Sequence, residues 1–283
     1  IGKWYGKNKG KALSISIMGF SLGEAIFPVI FVSLFIVLGW RNSWIIGMII
    51  LLSVLPIILR LLSNERIPNS RDENISNQYG MKNKHWTRKD VLQNWVFWAV
   101  IIPFLIPPIF STAFFFNMVH LTDVKNWSLI SFTALFPIYT GMSILSTLSS
   151  GWILDKFGVE KVLPFYLLPM TLGLIIFSYG NSYINAVFGL AFLGITQGFA
   201  MTIGGTFWPN YYGTKYLGSV RSLSTSTMVF GTAIGPAVVG KLLDFSVNYN
   251  EILLGMSLLS IIASISLAVT MTQTPKLLSK DKI

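Results

Sequence analysis

The 283-residue chain draws 53% of its residues from the apolar set and only 11% from the charged set; an ordinary soluble domain is about 25% charged. With a mean hydropathy of +0.63, so much apolar surface cannot be hidden inside a water-soluble body of this size, which excludes a soluble enzyme, a disordered protein and a nucleic-acid-binding domain. Cysteine is absent, which removes disulfide frameworks, thiolate metal sites and thiol nucleophiles.

A helix needs about 20 apolar residues to cross a bilayer. Eight stretches qualify: 12–38, 43–62, 95–121, 127–153, 162–179, 183–208, 217–243 and 252–272. Barrel strands alternate apolar and polar residues, whereas 96–116 and 252–268 are continuous, so the fold expected is an all-α integral membrane bundle. The one long polar segment is 63–93, with Glu65, Arg66, Arg71, Asp72, Glu73, Lys82, Lys84, Arg88 and Lys89. It divides the chain into 1–62, a central loop 63–93, and a six-span part 94–283.

The net charge of +10 is resolved by placing the cations. Eight crossings return both termini to one side, and that side collects 18 of the 21 Lys and Arg residues. Only Arg41, Lys125 and Lys241 fall opposite. The positive-inside bias puts both termini and the long loop in the cytoplasm of a cell (inner) membrane. The charge is thus an orientation signal, and nucleic acid is not an expected partner.

The first and seventh spans resemble each other. Lys11-Ala12-Leu13-Ser14-Ile15-Ser16-Ile17-Met18 reads against Arg221-Ser222-Leu223-Ser224-Thr225-Ser226-Thr227-Met228, and glycines and a proline follow in both (Gly23 and Pro28; Gly231, Gly235 and Pro236). Repeated halves are common in transporters, with the solute site at the midplane between them. The chain opens inside a basic stretch, Lys3-Trp4-Tyr5-Gly6-Lys7, rather than on Met. A six-span repeat entered part-way leads us to expect eight spans of twelve, with four more upstream.

Gly151-Trp152-Ile153-Leu154-Asp155-Lys156-Phe157-Gly158-Val159-Glu160-Lys161 resembles the short cytoplasmic signature of the major facilitator superfamily, departing from it at Glu160, where the family often has a cation. Gly231-x-x-x-Gly235-Pro236 is similar to that family's glycine-proline helix motif, and Asn117-Met118-Val119-His120-Leu121 with Lys125-Asn126-Trp127-Ser128 resembles the monocarboxylate and oxalate–formate carrier groups. The resemblance implies helices five to twelve of a twelve-helix carrier. It also implies a cytoplasmic gate of Asp155, Lys156, Gly158, Lys11 and Arg221, in which Asp155 sits near Gly10, Lys11 and Ala12 with Lys9 and Lys11 as candidate partners. The plainer alternative for Asp155 is a solvated carboxylate pairing with Lys156 or Lys161.

Glu24 is the only acid inside any span. Ionisable groups at such depth are costly and face a cavity or a partner. At helical spacing Ser14, Ser21, Glu24 and Pro28 share one face within about 80°, opposite Ala12, Ser16, Gly19 and Gly23. Glu24 therefore reads either as a proton-coupling or substrate-contacting carboxylate, with Ser21 beside it, or as a neutral structural acid. Asn117 and His120 could line a solute path near the outer end of their span, while His120 could equally sit at the interface near Asp123. Gln197, among Gly194, Gly198, Gly204 and Gly205, is a candidate cavity amide, with Tyr139 and Thr140 candidates of the same kind. No cation lies near mid-span, which is unlike carriers that hold a carboxylate with one. No His-Glu-x-x-His, Gly-x-Ser-x-Gly or Walker motif occurs, so no cofactor, metal or catalytic residue is expected. The expected protein is a monomeric secondary transporter of a small solute, an organic acid among the options, working by alternating access. Its partners are that solute, membrane lipid and a coupling proton; the alternative is a transport-inactive sensor or assembly subunit on the same fold.

Overall fold

The computed structural model describes residues 9–63 and 79–274. Seven of its helices are long and apolar enough to cross a membrane. The first long element, α1 (Lys9–Ser63), is interrupted at Gly39, whose φ of 73° and ψ of 163° are not helical. Phe31 and Trp44 flank this break with ring centroids 6.0 Å apart; an unbroken helix would hold them about 20 Å apart. A Cβ on Gly47 would lie 2.9 Å from the Phe31 ring. The element is therefore a helical hairpin, and its two arms correspond to the first two expected spans. Its apolar side chains are largely exposed, as lipid-facing residues can be.

Residues 75–283 form a separate compact unit. It begins with a 3-10 turn (Met81–Asn83) and the short α2 (Arg88–Leu92). Composition suggests a solvated loop here, but Met81 and Trp86 are buried, and the Trp86 amide donates to the Tyr212 carbonyl at 3.2 Å. Thr87 and Asp90 close a capping box on α2, and Lys84 pairs with Asp90 at 2.9 Å. Hydrogen bonds from Thr87, then the Lys84 ammonium, hold the Asp90 carboxyl well below the usual carboxylate range.

The long helices follow. Helix α3 (Trp95–Phe116) ends where the Asn117 amide caps the Ala113 carbonyl at 2.8 Å, and α4 (Met118–Lys125) follows. Next come the short α5 (Leu129–Thr133) and α6 (Phe136–Phe157), whose Pro137 sits in the first turn where no amide is needed. The expected 162–179 span is broken by prolines into α7 (Val159–Val162), a 3-10 turn (Leu163–Phe165) and α8 (Leu168–Tyr179). Helices α9 (Tyr183–Tyr212), α10 (Leu217–Asp244) and α11 (Tyr249–Gln273) complete the unit.

Contacts fix the helix directions. Leu105 meets Gly231 and Ile109 meets Gly235, while Pro103 meets Tyr166 and Phe114 meets Phe177, so α3, α8 and α10 run the same way. Tyr139 meets Gly194 while Ser150 meets Thr202, so α6 and α9 run together. Gly180 meets Asn185 and Gly173 meets Gly189, so α8 and α9 are antiparallel. Tyr211 meets Thr274, which sets α11 parallel to α9. Successive long helices therefore alternate in direction, as rods crossing a slab must.

The apolar core falls into two clusters, one at each end. One joins Trp86, Phe97, Leu163, Phe207, Tyr211 and Leu267; the other joins Phe114, Trp127, Phe132, Phe177, Leu190 and Leu253. Lys156, Lys161, Lys215 and Arg221 adjoin the first cluster, and Lys125 and Lys241 adjoin the second. Several of these cations lie over aromatic rings: Lys156 over Trp152 at 4.8 Å, Lys215 over Tyr216 at 5.5 Å and Lys241 over Phe245 at 4.9 Å. Such pairs suit the membrane–water boundary, where ring faces attract cations.

Candidate functional site

Between the two apolar clusters the buried residues change character. On α6 they are Thr140, Ser143, Ser146 and Ser150; on α9, Gly194, Thr196 and Gly198; on α11, Ser257 and Ser260. The middle of the unit is thus a polar waist.

Its densest part is the α6–α9 seam. A Cβ on Gly194 would collide with the Tyr139 carbonyl, and one on Gly198 would collide with Ser146 and the Ser143 carbonyl. The missing side chains let the two backbones approach, as small residues do in membrane helix pairs. Ser146 donates to the Ile195 carbonyl at 3.1 Å, and Ser150 donates to Thr202 at 2.7 Å. The spacing of 143, 146 and 150 against 194, 198 and 202 puts these groups on facing stripes.

Two hydroxyls in the waist, Thr140 Oγ1 and Ser143 Oγ, are buried without a hydrogen-bond partner among the described residues. An unpaired buried polar atom is costly, so each invites a ligand or a water. Gln197 is half-buried one turn from Gly194, and its side-chain amide makes no hydrogen bond to a described residue. Two turns further along α9, a Cβ on Gly204 or Gly205 would meet nothing within 4 Å among the described residues. The waist thus offers an amide and several hydroxyls that can donate and accept, and no fixed charge among its described residues. None of its described groups forms a nucleophile–base pair, and no cluster of three metal-ligating side chains occurs among the described residues.

Of the residues singled out from sequence, Tyr139 and Gln197 come together at this seam. The Tyr139 ring is buried against Phe115 with centroids 5.2 Å apart. Asn117 and His120 lie elsewhere: the Asn117 amide is taken up by its own helix, and His120 is exposed, edge-on to Tyr249 at 5.4 Å. The side chains of Glu24, Ser21 and Lys11 lie outside the described residues. Asp155 is exposed in the last turn of α6 and pairs with no described residue, and Lys156 is occupied by Trp152 and Phe157. Gly158 has φ of 80°, the left-handed conformation that lets α6 turn sharply into α7. Arg221 is exposed in the first turns of α10.

Sequence reasoning passed over the serines of α6. The signal was their spacing of three and four, which matches the glycines of α9. It also passed over the outer clasp, where Lys125 is 5% exposed and donates to the Ser178 carbonyl and to Asn181 Oδ1, both at 3.0 Å. Burial pushes the Lys125 ammonium below the ordinary lysine range. The Trp127 indole donates to the Asn181 carbonyl at 2.8 Å beside it.

The family model described as Major Facilitator Superfamily matches residues 1–183 and, separately, 138–282. The chain belongs to the major facilitator superfamily. Members of the superfamily are membrane transporters, and the long apolar helices make this chain a multi-pass membrane protein. No curated protein matches the chain.

Proposed function

We propose that this major facilitator protein is a secondary carrier that binds a small polar solute at the waist and releases it by alternating access. The observation that carries the reading is the pair of unpartnered buried hydroxyls, Thr140 and Ser143, at the level of the Gln197 amide. Such groups recognise a solute by hydrogen bonds, and leaving them unpaired penalises analogues that lack the matching polar atoms. The described residues supply no cation to hold a carboxylate at this level. That absence of a cation among the described residues favours a neutral solute over an organic acid. Glu24 is proposed as the coupling carboxylate and Asp155 as a gate residue, on the sequence grounds given above. The positive-inside bias supports a cytoplasmic location for both chain ends, in a cell membrane.

The test is uptake into proteoliposomes across a panel of small polar solutes, with and without an imposed proton gradient. Gln197→Leu should lower uptake of the transported solute about fivefold while leaving thermal stability in detergent unchanged. Uptake unaffected by Gln197→Leu and by Thr140→Val would remove the waist as the binding site. Absence of flux for every solute would favour the sensor or assembly-subunit reading.

A further inference from the structure

A cavity of 350 Å³ lies between the α6–α7 turn, the start of α8 and α9. Ile153, Phe157, Val162, Phe165 and Phe199 are among its walls, and Lys161 is the one charged residue among the described residues that line it. We propose that it is a phospholipid site, taking one acyl chain of an anionic lipid with the phosphate at Lys161.

The volume falls in the range of small-molecule sites, but the cavity shares no lining residue with the polar waist. Its walls offer almost nothing to a polar solute. An acyl chain is the apolar ligand that a membrane always supplies to such a slot. Phe157 and Phe165 are exposed at the rim, at the end of the unit where Lys156 lies over Trp152. That is the aromatic level expected at the lipid headgroups.

Charge decides the headgroup. Four ionisable side chains occupy 155–161, and each has a separate situation. Asp155 is exposed and lines no part of the cavity; Lys156 is held over the Trp152 and Phe157 rings. Glu160 turns back to within contact of Gly158 and acts electrostatically on Tyr211. Lys161 is left exposed at the mouth of the cavity. An apolar slot ending in an exposed ammonium matches a chain ending in a phosphate, and basic pockets between membrane helices bind anionic headgroups for this reason.

Native mass spectrometry of the full chain in neutral detergent tests the assignment. The chain is titrated with phosphatidylglycerol or with phosphatidylcholine of identical acyl chains. Phosphatidylglycerol adducts should exceed phosphatidylcholine adducts about fivefold, the worth of one lysine near an anionic headgroup. Lys161→Gln, at an exposed position, should bring the two lipids to parity. Ile153→Trp should fill the slot and reduce adducts of both. Added sn-glycerol 3-phosphate should displace neither. Equal retention of the two lipids by the unmodified chain would overturn the proposal. So would a preference that survives Lys161→Gln, full adducts on an Ile153→Trp chain of unchanged thermal stability, or displacement by glycerol 3-phosphate, which would mark a soluble-anion site.

Discussion

Two of the close-range seams in the six-helix unit are made of different material. Between α6 and α9 the backbone approach is lined by hydroxyls, and Ser146 and Ser150 hydrogen-bond across it. Between α3 and α10 the Ile109 side chain fills the space at Gly231 and the Ile109 carbonyl approaches Gly235, with no hydrogen bond between the two helices among the described residues. Crossing hydrogen bonds have preferred directions, so the first seam holds one register. Dispersion has little directionality, so the second can shift at lower cost.

The largest expected effect on this contrast comes from adding a methyl group. In Gly198→Ala the new Cβ meets the Ser143 carbonyl and lies 2.7 Å from the Thr147 amide, and backbone cannot step aside. The loss should be about 1–3 kcal/mol, read as a lowered unfolding temperature in detergent. In Gly231→Ala the Cβ meets the Ile109 side chain at 3.0 and 3.1 Å, and a rotamer change relieves it. The loss there should be clearly smaller; equal losses would erase the distinction between the seams.

A smaller effect is expected where α3 is tied to the α7–α8 segment. Pro107 has no N–H, so the Pro103 carbonyl lacks its helical donor. The buried Tyr166 hydroxyl supplies one at 3.0 Å. Tyr166→Phe should lower stability by about 1 kcal/mol, and no change would mean that the proline break needs no external partner.

The smallest effect is the crossing hydroxyl itself. Ser150→Ala removes the bond to Thr202 and should lower stability by about 0.6 kcal/mol, the average for such bonds in membranes. A double-mutant cycle with Thr202→Val measures the coupling directly, and zero coupling would leave the α6–α9 register to the glycines alone.

The same glycine pattern also meets different surroundings in the two units. Gly231 and Gly235 are pressed against Ile109, whereas a Cβ on Gly19 would meet nothing within 4 Å among the described residues and one on Gly23 would meet only Phe27 of its own helix. Similar sequence in the first and seventh spans is therefore not enough to read a packed seam; the facing residue has to be seen.

Much of the fold was legible because lipid forces it to be. A spanning helix must be apolar for its whole length and must satisfy its own backbone, so the apolar runs announced themselves. The turn at Gly158 and the packing face of Gly231 and Gly235 were legible for the same kind of local reason. The serines of α6 were not, because Ser in an apolar run reads as a mild interruption until the facing helix supplies Gly194 and Gly198. Nor was the folding of 79–93, where the charges suggested solvent while Met81 and Trp86 carried the contrary signal.

What the amino-acid order determined by itself is the set of lipid-crossing segments, their alternation and the side on which the cations gather, since each follows from local hydropathy and charge. What only the tertiary structure decided is which polar residues inside those segments share one level. That depends on contacts between helices far apart in sequence: Tyr139 meeting Gly194, Ser150 meeting Thr202 and the Asn117 amide turning back on its own helix. A helix buries whichever face its neighbour covers, and the neighbour is not written in the helix.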